Sequence, residues 1–125
     1  MTRVRVETPC HPTESLEKVL AAVRNLFPDI AFERSDDIVR GTTENVDRLR
    51  ERIRNQKIRD TARRQFLAGR RGDCTLVSLS KQAAFVGVVN FAAMSALGDI
   101  LVEIEAEDLA SVIDYVAEST VRPKR

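Results

Sequence analysis

The chain is poor in the residues that most often carry chemistry. Among 125 residues it has one histidine, His11, and two cysteines, Cys10 and Cys74. The cysteines form no CxxC pair, and a domain of this size needs no disulfide, so both read as free thiols. His11 is wedged between Cys10 and Pro12. Adjacent side chains in a proline-bounded turn rarely converge, so neither a metal site nor a cysteine nucleophile is expected there. No Walker, GxGxxG or GxSxG motif occurs. Asp36-Asp37 reads as a turn rather than a cation site, and Arg71-Gly72-Asp73 as a chance match to an adhesion tripeptide. Tryptophan is absent, and the five phenylalanines and Tyr115 fall mostly on apolar stripes, so no stacking platform for bases is visible. No apolar run approaches the roughly 18 residues of a membrane span, and the opening MTRVRVETP lacks a signal-peptide segment. A cytoplasmic, non-catalytic protein without cofactor or metal is the expectation, since no set of acid, base and nucleophile can be named.

What is present is ordered. Thr2 to Thr8 alternates Val4 and Val6 with Arg3, Arg5 and Glu7, the period of a half-buried strand. Pro9-Cys10-His11-Pro12 ends it. Thr13 or Ser15 can cap a helix whose stripe is Leu16, Val19, Leu20, Val23 and Phe27, stopped by Pro28. Ile30 to Arg34 and Ile38 to Gly41 read as a hairpin around Ser35-Asp36-Asp37. Thr42 or Thr43 can cap a helix from Glu44 towards Ala68, with Gly69 as its stop. Thr75 to Ser80 and Ile100 to Glu105 alternate again. Phe85 to Phe91, FVGVVNF, is apolar on both faces except at Asn90 and reads as a central strand covered on both sides. Leu109, Val112, Ile113 and Val116 give a last helix, and 118–125 reads as a frayed tail. The pattern predicts a single α+β domain over 1–125: a mixed, mostly antiparallel sheet of five or six strands, with the helices mainly on one face.

Charge is unevenly spread. The chain as a whole is +1, but Glu44 to Arg71 holds ten basic and four acidic residues, so this segment is +6 and the remainder −5. A single basic element can steer an anion to one place. On a helical wheel the apolar stripe Val46, Leu49, Ile53 jumps by about half the circle to Ile58, Ala62, Phe66. The jump falls at Arg54-Asn55-Gln56-Lys57. Either the helix kinks or breaks there, or one long helix is buried on different sides at its two ends, where a second chain could cover one of them. Arg48, Arg52, Arg59 and Arg63 keep one line. On a straight helix that line would be about 22 Å long, able to touch several phosphates through paired hydrogen bonds. The other reading is a solvated face with Glu44–Arg48 and Asp60–Arg64 pairs. Lys81-Gln82-Ala83-Ala84 offers a similar choice: Lys81 and Gln82 contact phosphate or a base edge, or the alanines pack under helices while Lys81 is solvated.

The segments VRVETPCHPTE, NLFPD, LRERIRNQKIRDTARRQFLAG, LSKQAAFVGVVNF and LGDILVEIE resemble the archaeal Uncharacterised Protein Family 0201, from about Arg3 to Ala117. Its most specific pieces are Gln56 to Arg63 and Lys81 to Gly87. Cys10 and Ser15 depart from the family's aliphatic and acidic preferences. The resemblance implies an archaeal, cytoplasmic protein with a fold similar to the ribosomal protein that binds 5S rRNA, and an RNA-binding role by analogy; fold does not fix function. The expectation is therefore a non-catalytic protein that binds structured RNA through Arg48, Arg52, Arg54, Lys57, Arg59 and Arg63, flanked by Arg70, Arg71, Lys81 and Gln82. The alternative is a homodimeric structural protein without nucleic-acid binding.

Overall fold

A computed structural model describes residues 2–91 and 99–118. In chain order the elements are β1 (Thr2–Pro9), α1 (Leu16–Arg24), β2 (Ala31–Ser35), β3 (Ile38–Thr43), α2 (Asp47–Asn55), α3 (Arg59–Ala68), β4 (Arg70–Arg71), β5 (Cys74–Ser80), α4 (Lys81–Phe85), β6 (Asp99–Ala106) and α5 (Leu109–Val116). The strands form one six-stranded sheet in the order β2-β3-β1-β6-β5-β4. Every pairing among the described residues is antiparallel, so the expected sheet is realised without a parallel strand. The expected tail lies outside the described residues except for Glu118.

Alternation decides which way each strand faces. Val4 pairs across to Ile104 and Val6 to Val102, while Val77 pairs to Val102 from the other side. These residues, with Thr8, Thr75, Leu79 and Ile100, are buried on one face of the sheet. Arg5, Glu7, Arg40, Leu76, Leu101 and Glu103 occupy the opposite face, which no helix covers among the described residues. The helices lie on the first face, and their apolar stripes complete the core with Val23, Phe27, Leu49, Ile53, Phe66 and Ile113. Fully burying side chains of this size contributes about 1.5–3 kcal/mol each.

The long helix divides. α2 ends at Asn55 in a Schellman turn: Ile58 N–H donates to Ile53 O at 3.2 Å and Lys57 N–H to Arg54 O at 3.1 Å. Lys57 sits in the left-handed region, φ 59°, where glycine is the usual occupant. This break turns α3 about its axis, so Leu49 and Ile53 before it and Ala62 and Phe66 after it are buried in one core. The jump of the apolar stripe is accounted for within one chain. At the end of α3, Gly69 is required by space: a Cβ there would meet Leu76 O at 2.0 Å.

One sequence expectation is overturned. FVGVVNF is not a strand. Ser80 Oγ accepts from Ala83 N and starts α4, and Gly87 takes φ 78° and turns the chain just beyond it. Ala84 and Val89 are buried, but Val86 is 71% exposed. The run is apolar because it crosses between helices and surface. A sheet with one open face gives no strand a reason to be apolar on both sides.

Candidate nucleic-acid interface

Three helices end against the basic segment, and its arginines cap two of them, α1 and α5. A helix C-terminus leaves carbonyls unpaired and carries partial negative charge, which cationic donors neutralise. α5 has no basic residue in its own last turn. Arg50 on α2 donates through Nε to Tyr115 O at 2.9 Å, and its guanidinium lies 4.7 Å from the Tyr115 ring centroid. Arg63 on α3 pairs with Asp114 and donates to Ala117 O at 3.4 Å. Arg59 pairs with Glu118. Tyr115 Oη donates to Asp47 Oδ1 at 2.5 Å. That carboxylate acceptor, followed by desolvation, pushes the phenol pKa up, against the pull of Arg50. Arg52 Nε donates to Asn25 O at 3.4 Å, the C-cap of α1. Asn25 Nδ2 in turn donates to Ala84 O and Phe85 O, at the end of α4.

The expected line of Arg48, Arg52, Arg59 and Arg63 is thus not a free stripe. The break interrupts it, and three of its four members are engaged: Arg52 at the end of α1, Arg63 at the end of α5, and Arg59 on the Glu118 carboxylate just past it. Arg48 reaches Glu51 only at 4.0 Å and is exposed; the anticipated pairing with Glu44 does not form. Arg54, Lys57 and Arg64 are exposed, and no ion pair joins them to a carboxylate among the described residues. Past α3, Arg70 and Arg71 are also exposed. Among the described residues they donate to nearby backbone, Gly72 O and Arg70 O.

Lys81 corrects another expectation. It is 5% exposed, neither solvated nor available to a phosphate. Its Nζ donates to Pro9 O at 2.7 Å and to Glu14 Oε1 and Oε2 at 3.1 and 3.0 Å. Glu14 also accepts from His11 N. Burial pushes the Glu14 pKa up, but the His11 N–H and the Lys81 ammonium outweigh it and hold the carboxyl below its ordinary value. Gln82, the next residue, is exposed. Gln56 was singled out only as part of a motif. Its side chain pairs twice with Val89, Nε2 donating to Val89 O at 2.9 Å and Oε1 accepting from Val89 N at 2.7 Å. It pins the turn after α4 to the helix break, a role that needs both distant segments to be seen. Among the described residues no group of histidine, cysteine and carboxylates is arranged to hold a metal ion. Cys10 is buried and Cys74 lies on the open sheet face, both as free thiols.

Known proteins share this fold. A family model described as RNA binding matches residues 3–107. A UPF0201 protein of Methanothermobacter thermautotrophicus is 41% identical over 128 residues, spanning 99% of this chain and 97% of that one. The crystal structure of one UPF0201 protein matches with a TM-score of 0.89 and 39% identity, over 98% of this chain and 99% of that one. The UPF0201 protein of Methanococcus jannaschii matches with a TM-score of 0.86 and 33% identity, over 95% of each chain.

Proposed function

The chain belongs to the UPF0201 family, and from that premise we propose that it is a non-catalytic RNA-binding protein whose outer cations, from α2 through the turn at Lys57 and α3 to β4, hold phosphates. The RNA-binding description of the matching family model supports the class of ligand. The observation that carries the site is Lys57. It is exposed, joined to no carboxylate among the described residues, and held at φ 59°, a conformation that costs a non-glycine residue roughly 1–2 kcal/mol. A backbone that asks for glycine there and has lysine is explained by use of the ammonium group. Arg54 stands before it, Arg64 follows on α3, and Arg70 and Arg71 follow beyond the helix. The ten residues of α3 extend about 15 Å, so these cations can meet several phosphates of one strand. Arg48 adds to them on α2. Arg52, Arg59, Arg63 and Lys81 are assigned instead to holding the fold.

The test is binding of a labelled structured RNA measured from low to physiological salt. Wild-type affinity should fall steeply with salt through counterion release. An Arg54→Gln, Lys57→Gln, Arg64→Gln variant should bind more weakly, its log–log salt slope shallower by about one for each cation neutralised. Arg59→Gln with Arg63→Gln should leave the slope unchanged. Absence of binding, or binding indifferent to salt, would sink the reading.

A second reading, a homodimer, is favoured by the open sheet face. Leu76 and Leu101 are 50% and 40% exposed there, beside the pairs Arg5–Glu103 and Arg40–Glu7. A face carrying both signs can meet its own copy across a twofold axis. Light scattering at the mass of a monomer, at all concentrations, would remove it.

A further inference from the structure

A groove of about 420 Å³ runs between α1 and α4. This lies within the roughly 300–1,000 Å³ of clefts that take small organic groups. Its floor is Val19 and Ala22 of α1, both buried, and one wall is the Phe85 ring, 45% exposed. Lys18 and Gln82 stand on its polar rim with Thr13, Glu14 and Ser15. Gln82 and Phe85 are three residues apart on α4 and so share a face. The groove is built to keep its shape. Lys81 commits its ammonium to Pro9 and Glu14, which ties the start of α4 to the start of α1. Asn25 ties its end to the end of α1 through Ala84 O and Phe85 O. A ring on a helix fixed at both ends loses little freedom when something stacks on it.

Resting on the RNA-binding reading, we propose that this groove accepts one unpaired base of the bound RNA. The base stacks on Phe85, with the Gln82 amide at its hydrogen-bonding edge and the Lys18 ammonium at the adjoining phosphate. An exposed aromatic plane beside an amide and a cation is the chemistry by which single-stranded segments are recognised. An amide supplies both donor and acceptor to a base edge. The chain leaving the groove runs on to α2. From Phe85 the chain passes through exposed Val86 to Gly87, where a Cβ would lie 3.1 Å from an Arg52 terminal nitrogen. A strand whose phosphates follow α2 and α3 can therefore turn one base across this corner into the groove.

The experiment compares labelled oligoadenylate and oligouridylate single strands with a fully paired RNA duplex of equal length. Against wild type stand Phe85→Ala, Phe85→Tyr, Gln82→Ala and the triple variant at Arg54, Lys57 and Arg64, all checked for folding by circular dichroism. Phe85→Ala should weaken single-strand binding about tenfold, as expected for one base stacked on one ring, with duplex binding unchanged. Phe85→Tyr should restore it. Gln82→Ala should narrow any difference between the two homopolymers. The triple variant should weaken single strand and duplex alike. Salt-sensitive binding that ignores Phe85→Ala overturns the base groove and leaves the phosphate surface standing. Should Phe85→Ala fail to fold, Phe85→Tyr with full and Phe85→Leu with lost single-strand preference supports the groove, and equal binding by both overturns it. Failure of wild type to bind any RNA overturns both proposals.

Discussion

Arg63 and Arg64 are neighbours in sequence and differ in almost every physical respect. Arg63 is half-buried, paired with Asp114, and donates to Ala117 O at the end of α5. Arg64 faces solvent. The same contrast separates Arg52, whose Nε reaches Asn25 O, from Arg54, and Lys81, sealed against Glu14, from Gln82. Successive helical residues are rotated by about 100°, and that rotation sets one cation against another helix end and its neighbour outside. A basic stretch is thus two inventories. Its inner members are engaged with helix ends and carboxylates of the protein itself, and its outer members face solvent.

The largest way to break that comparison is to strand an inner cation. Glu14→Gln leaves Lys81 buried without its counter-charge and should cost about 3–5 kcal/mol in denaturant unfolding. Replacing both, Glu14→Leu with Lys81→Met, should recover most of that loss. The same pair gives a pH dependence. Glu14 is held below its ordinary value of 4.5, so its contribution is complete above that value and is lost as pH falls through the lower folded pKa. Wild type should therefore lose stability on acidification through this range, and the double variant should lose less. Arg63→Gln is a smaller break. It removes one partly screened cap and should cost about 1 kcal/mol, with protection of α5 amides against hydrogen exchange falling first. Lys57→Gly sharpens the comparison from the outer side and reverses the sign. It should raise stability by up to about 1 kcal/mol by relieving the left-handed lysine, while RNA affinity falls. A lysine that proves stabilising at this site in thermal unfolding would contradict its use as a strained phosphate ligand.

Most of the sheet was legible because alternation is a local signal. β1, β5 and β6 each bury the set that period two selects, and the β2–β3 hairpin follows from its turn. The helix break was legible as one of two alternatives, since a stripe that changes sides constrains the geometry without choosing it. What was not legible depends on contacts between distant segments. Lys81 reads as a surface cation until Glu14, 67 residues away, is folded against it. Arg59 and Arg63 read as a stripe until α5 returns across them. The apolar run at Phe85 satisfied the pattern of a covered strand, but Ser80 and Gly87 gave it a helix and a turn. Phe85 reads as core by its type, yet it is an aromatic ring that the surface exposes.

The two-residue β4 has a consequence for what this protein can do in a crowded solution. A sheet edge normally offers unpaired backbone groups to any passing strand, the route by which folded chains stack into aggregates. Here one edge stops at Arg70 and Arg71, too short and too charged to template an addition, and the other carries Glu33 and Arg34 on β2. β4 and β2 are thus poor templates for strand addition. Association of copies is steered towards a face, where side chains rather than backbone decide which neighbour is accepted.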